Sequence, residues 1–199
     1  MSISAKDVKT LRDRTGAGML DCKKALEESD GDLEAAIDFL RSKGAAKAAK
    51  RAEKAANEGT VGFYLHHGGR IGVLVEVNCE TDFVANTDDF KDLARDLAMH
   101  IAASNPQAVS EDDLPKDLIE RERQVYVEQV KNEGKPENIQ EKIVEGKLRR
   151  FFEENTLLRQ PFVKDPERTI EQVVTEVSAR TGEKIEVARF ARFAVGESA

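Results

Sequence analysis

Two cysteines and three histidines are the residues of this 199-residue chain best suited to nucleophilic or zinc-binding chemistry. Cys22 and Cys79 form no CxxC pair, and His66, His67 and His100 share no ligand spacing with them. No zinc site is expected from that pattern, and both thiols read as buried core side chains. Gly16-Ala17-Gly18 lacks the third glycine of a dinucleotide loop, and no GxxxxGKS/T phosphate cradle is present. No serine, cysteine or histidine falls in a nucleophile context. Carboxylates are abundant, but none stands in apolar surroundings that would raise its pKa toward that of a general acid. The chain is expected to bind rather than catalyse, with no catalytic residue, no metal and no cofactor.

One stretch keeps its chemical interest. Residues 79–90 read CETDFVANTDDF, and Phe83 stands in an acidic joint between a strand-like run and a helix-like pattern. Either it plugs the core beneath the joint or it is held outside for insertion into something else. Residue type alone favours the core, because most Phe side chains are largely buried. Aromatics are only 6% of the chain and Trp is absent, so an aromatic at an odd position is unusually informative.

The elements that must position this joint follow from periodicity. Residues 3–43 read as three short helices, with stripes at Val8 and Leu11, at Met19, Cys22 and Leu26, and at Leu33, Ile37 and Leu40. Ser4 with Asp7 caps the first, and Gly16-Ala17-Gly18 ends it. Residues 44–56, rich in Ala and Lys, read as a helical linker without an apolar face. The period then changes to two: Val61, Phe63 and Leu65 alternate, residues 66–70 turn, and Ile71, Val73, Val75 and Val77 alternate again, a β-hairpin. Phe90, Leu93, Leu97 and Ile101 return to helical spacing after an N-cap at Asn86 or Thr87. In 111–160 two charge-dense helices, with seams at Leu118, Val125 and Val130 and at Ile139, Ile143, Leu148 and Phe151, flank a turn at 132–136. Pro161-Phe162-Val163 leads back to a helix over 169–181 and a strand over 185–193. The apolar parity of that strand shifts between Val187 and Phe190, as a bulge would make it.

These parts predict an α+β fold. Residues 1–54 form a three-helix domain with its linker, 55–110 and 161–199 form an α/β core with a small antiparallel sheet, and 111–160 form an inserted antiparallel helical hairpin. A three-stranded sheet with helices on one face leaves its other face open, drawn from Val61, Phe63, Leu65, Ile71, Val73, Val75 and Val77 or from Leu74 and Phe190. That face predicts a homodimer. Net charge is −7, which argues against general affinity for phosphate backbones. The basic residues from Lys43 to Lys54 carry no interleaved aromatic and read as a solvated face, so no direct nucleic-acid contact is expected. No apolar h-region opens the sequence and no run reaches the roughly 18 residues of a membrane span, which predicts a soluble, cytoplasmic protein with no membrane partner.

Three collinear stretches resemble the elongation factor Ts family: RDRTGAGMLDCKKALEESDGD (12–32), VNCETDFVANTDDF (77–90) and KPENIQEKIVEGKLRRFFEENTLLRQPFVKD (135–165). The closing ARFARFAVGE (188–197) is similar to that family's final strand. The resemblance implies an N-terminal domain like ubiquitin-associated domains, an α/β core and a coiled-coil hairpin. It implies a guanine-nucleotide exchange factor for elongation factor Tu. Thr81, Asp82, Phe83 and Val84 match the segment that enters the partner's nucleotide domain and dislodges the Mg²⁺ bound with GDP. Leu11, Arg12, Thr15, Gly16, Ala17, Gly18, Met19 and Leu20 match the region that docks on a partner helix, although Leu11 and Leu20 read equally well as core. With one hairpin-plus-helix unit, and without the extra C-terminal helix of long members, the chain is similar to the short form, in which two chains supply the two core halves. The other reading is a non-exchange binding module, which the basic linker favours and the acidic balance and Thr81–Val84 do not.

Overall fold

The computed structural model describes residues 3–197. They form two compact units by contact: one gathers the chain up to Thr60 with Val77–Leu93 and Gln172–Glu186, the other Val61–Glu76, Ala94–Glu171 and Val187 onward.

The first unit begins with the expected bundle. In α1 (Ala5–Thr15) the Ser4 hydroxyl accepts from the Asp7 N–H at 3.2 Å while the Asp7 carboxylate accepts from the Ser4 N–H. Gly16 ends the helix at φ 67°, a left-handed cap that other residues adopt only with strain. The helices α2 (Met19–Glu28) and α3 (Leu33–Arg51) follow. Val8, Leu11, Cys22, Ala25, Leu26 and Ala36 are buried at the centre, edged by Leu33, Ile37 and Leu40. One expectation needs correction. Met19 is 47% exposed and leaves the stripe of Cys22 and Leu26, because it stands at the very start of α2. Residues 44–51, read as a helical linker, continue α3, and Gly44 among them is buried against α8 (Ile170–Thr181), where an added Cβ would meet that of Ala179 at 3.1 Å.

The sheet is antiparallel, in the order β1 (Glu58–Leu65), β2 (Ile71–Cys79), β5 (Ile185–Ala194). Val73, Val75 and Val77 of β2 point inward and are buried. At Gly62, β1 touches α5 (Asp88–Ser104) backbone to backbone: an added Cβ would lie 2.5 Å from the Ala94 carbonyl oxygen. Ala188 and Arg189 are consecutive exposed residues in β5, and half-buried Phe190 and Arg192 follow, the parity shift read from the sequence. The open face is now specific. Val61, Phe63, Leu65, Leu74, Phe193 and Val195 are all exposed, whereas Phe190 is half-buried.

In the second unit, α6 (Lys116–Asn132) and α7 (Glu137–Asn155) pack side by side about a short turn. Their seam is Val130, Val144 and Leu148, with Tyr126 and Ile143 beside it. Val125 and Ile139, expected on the seam, are exposed, because in such charge-dense helices the scattered apolar residues fit more than one stripe. Phe151 and Leu114 form a second cluster with Ala108. The return segment, expected only to lead back, pairs β3 (Pro161–Phe162) with β4 (Asp165–Thr169).

His100 of α5 is fully buried in this unit. Its Nδ1 accepts from the Val163 N–H at 3.3 Å, and its Nε2 lies 2.9 Å from Gln160 Oε1. The ring is therefore neutral with the proton on Nε2. Burial lowers its pKa below the ordinary 6.5, against a smaller opposing effect of Gln160. A depressed folded-state pKa contributes stability that is present above the unfolded value and lost as pH falls below it. The stability of the wild-type chain should fall as pH drops below about 6.5, with a slope from this one proton of at most about 1.4 kcal/mol per pH unit. His100→Gln should flatten that part of the curve. Urea midpoints measured across this range check it, and parallel curves for the two proteins would refute it.

Candidate partner-docking site

The strand β2 ends at Cys79, and Thr81 caps a single helical turn, α4 (Asp82–Ala85). The turn is two-faced. Val84 and Ala85 are buried beneath it, while Asp82 is exposed and Phe83 is 82% exposed. Leaving a Phe side chain in water forgoes about 2 kcal/mol of burial free energy. The neighbouring Val84, not Phe83, is the residue of this turn that is buried.

Thr81 is bonded at each of its polar atoms. Its hydroxyl donates to Glu183 Oε1 at 2.7 Å and accepts from the Val84 N–H at 3.4 Å. Its N–H donates to Glu183 Oε2 at 3.0 Å. Its carbonyl accepts from the Ala85 N–H at 3.2 Å and from the Cys79 thiol at 3.1 Å. Burial pushes the Cys79 thiol above its ordinary pKa, so it remains a protonated donor. Thr87 continues the pattern, its hydroxyl accepting from the Phe90 N–H at the start of α5.

Glu80 is a second fixed point. Its carboxylate accepts from the Lys184 N–H at 2.7 Å and pairs with Arg51 at 2.7 Å and Lys54 at 3.1 Å. The Lys184 N–H first, then Arg51 and Lys54, draw its pKa down to about 2 against the effect of burial. The residue ahead of the joint is thus tied to the last turn of α3, the helix that leaves the N-terminal bundle.

The N-terminal candidates separate by burial. Leu11 has no exposed surface and is core of the bundle. Arg12, Gly16, Gly18, Met19 and Leu20 are exposed, Leu20 at 86%, and Thr15 and Ala17 are half-buried. The Thr15 hydroxyl donates to the Leu11 carbonyl and accepts from the Ala17 N–H, which shapes the loop. An added Cβ at Gly16 would stand 2.5 Å from Arg180 Cδ, and Arg180 in turn pairs with Asp89 at 3.4 Å. Both candidate segments lie in the first compact unit. Sequence reasoning missed Glu183, Glu80 and Arg180, because a carboxylate or guanidinium about a hundred residues from its partner leaves no local pattern.

Among the described residues no group of His, Cys, Asp or Glu is placed to hold a metal ion, and no helix is long and apolar enough to cross a membrane. A family profile described as elongation factor Ts matches residues 21–197. A protein named elongation factor Ts from Moorella thermoacetica is 57% identical over 98% of this chain and 96% of its own length. The one from Desulfosudis oleivorans is 58% identical over 98% and 99%, and that from Thermosipho melanesiensis 55% identical over 98% and 100%. The chain belongs to the elongation factor Ts family. Membership makes it a translation elongation factor. In this member of the elongation factor Ts family, the cap residue Thr81 is held by hydrogen bonds and Thr15 bonds the turn that follows α1, while Phe83 and Leu20 stand exposed beside them.

Proposed function

We propose that this chain is a guanine-nucleotide exchange factor that binds elongation factor Tu with GDP and promotes GDP release by dislodging Mg²⁺. The observation that carries this reading is Phe83, an 82% exposed aromatic on a turn whose capping residue is fully hydrogen-bonded. Mg²⁺ demands near-ideal octahedral geometry, so a small displacement of its ligands in the partner weakens nucleotide binding greatly. A turn whose backbone is already held delivers that displacement at lower entropic cost, because only the side chain has to be ordered on docking. No covalent step is required, and the chain acts as a binding protein, not as an enzyme.

Asp82 and Val84 complete the segment, Val84 as the anchor beneath and Asp82 as the exposed acid beside the wedge. The loop with Arg12, Met19 and Leu20 docks on a partner helix, Met19 being suited to an irregular surface. The bundle as a ubiquitin-associated-like domain, the α6–α7 pair as a coiled coil, the division at 54, 110 and 160, and a cytoplasmic site of action belong to the same reading. The open face with Val61, Phe63, Leu65, Leu74, Phe193 and Val195 is taken by a second copy, which supplies the other core half. Coupling is reciprocal: a factor that weakens GDP binding is itself bound more weakly when GDP is present, by the same ratio. Co-elution of the chain with elongation factor Tu should therefore weaken on adding GDP, and co-elution indifferent to GDP would contradict exchange.

A further inference from the structure

We propose that Glu183 is the positioning residue of the Phe83 turn, an inference that rests on the exchange reading and assigns the group that holds the wedge. A helix of one turn cannot hold itself, since nucleation fixes more dihedrals than it gains hydrogen bonds. The four residues of α4 therefore need an outside brace. Glu183 supplies it from a point 102 residues away in the chain. Its Oε2 accepts from the Glu80 N–H at 3.1 Å and the Thr81 N–H at 3.0 Å, and its Oε1 accepts from the Thr81 hydroxyl at 2.7 Å. Hydrogen bonds to an ionised acceptor are the strong ones, and three converge on one carboxylate. The brace is returned in the opposite direction, because Glu80 accepts from the Lys184 N–H at 2.7 Å. Residues 80–81 and 183–184 thus clamp each other, and the Ser178 hydroxyl, which donates to the Glu183 carbonyl, fixes the far jaw to α8.

Thr81 is the N-cap of α4, so its orientation sets the direction in which the turn starts and Phe83 points. Without the carboxylate, the Glu80 and Thr81 N–H groups and the Thr81 hydroxyl lose their common acceptor and the turn loosens. The wedge would still meet the partner but would arrive in many orientations. A misplacement of about 1 Å costs up to about a hundredfold in rates that depend on geometry. The loss therefore falls on the maximal rate of GDP release and not on the concentration of factor that gives half of it, because the N-terminal loop docks independently of Glu183.

The test uses the full-length chain as wild type, Glu183→Ala and Glu183→Gln. Gln keeps one oxygen toward the two N–H groups and loses the charge, so it retains part of the clamp and the fold. Maximal release of fluorescent GDP from elongation factor Tu at saturating factor should fall about tenfold or more in Glu183→Ala, with half-saturation within about threefold of wild type and Glu183→Gln in between. Independently of any partner, hydrogen–deuterium exchange of the Thr81 amide should quicken about tenfold or more in Glu183→Ala, as expected on removing a hydrogen bond to a charged group. Unchanged protection of that amide would overturn the clamp even if exchange activity were absent altogether. Quickened amide exchange with an unchanged maximal release rate would overturn the positioning role. A loss confined to half-saturation would show that Glu183 serves docking instead, and would overturn it as well. If the wild-type chain releases no GDP, the exchange reading fails, and with it the role assigned to Glu183.

Discussion

Phe83→Ala should lower the maximal rate of GDP release about tenfold to a hundredfold, the usual size of a coupling between two sites, while its melting temperature stays close to wild type. The two halves of this expectation come from one fact. A side chain that is 82% exposed makes few contacts within its own chain, so its removal alters stability by only about 0.5 kcal/mol. Were it a core residue, the same truncation would cost about 3–5 kcal/mol and the protein would melt visibly earlier. The buried neighbour Val84 provides the internal comparison, because Val84→Ala should act in the opposite sense, on stability before activity. Reciprocity adds a third readout. If Phe83 carries the coupling, the affinities of Phe83→Ala for the GDP-bound and nucleotide-free partner should converge. A mutant that melts early, or one that releases GDP as fast as wild type, would remove Phe83 from the mechanism.

Sedimentation equilibrium at micromolar concentration should give twice the 22.1 kDa chain mass for the wild type, and Phe63→Asp should give the single mass. Five exposed apolar side chains of the three strands, with Val195 just after β5, mark the open face, Phe63 at 72% and Phe193 at 67% among them. Patches of a few hundred Å² are already unusual on soluble monomers, and a stable interface buries about 800 Å² per partner. Side chains that alternate outward along β1 suit a two-fold contact, in which the same patch meets itself. A carboxylate at Phe63 would be desolvated within that interface without a partner for its charge. Within one chain the substitution is mild, because Phe63 faces solvent and Gly62 makes the tight contact with Ala94. A wild-type chain at the single mass would leave the open face without its proposed occupant.

Much of the fold was legible because it repeats. The alternation of Val73, Val75 and Val77 placed the inner face of β2, and the spacing of Val8, Leu11, Cys22 and Leu26 placed the bundle core. Short or mixed segments were not. The turn α4 has too few residues to show a period, and β3 begins with a proline that marks nothing in particular. In α6 and α7 Val125 and Val130 both looked like seam, and only packing shows that Val130 and Tyr126 hold it. Of the candidate site, the residues of Thr81–Val84 and of the 12–20 segment stood out through their resemblance to a family; Leu11 is buried as periodicity placed it, whereas Met19 leaves its stripe. The groups that hold the site were invisible, because Glu183 and Arg180 act across the fold and a single charged residue in a chain that is 35% charged carries no signal.

Release of fluorescent GDP from elongation factor Tu in the presence of Mg²⁺, followed with increasing amounts of this chain, tests the exchange function most directly. The rate should rise with concentration to a plateau about a hundredfold or more above spontaneous release, and substoichiometric amounts should empty the whole pool of partner, since the factor is regenerated each cycle. A chain that co-elutes with elongation factor Tu yet leaves the release rate unchanged at saturation would contradict exchange and leave a binding module without it.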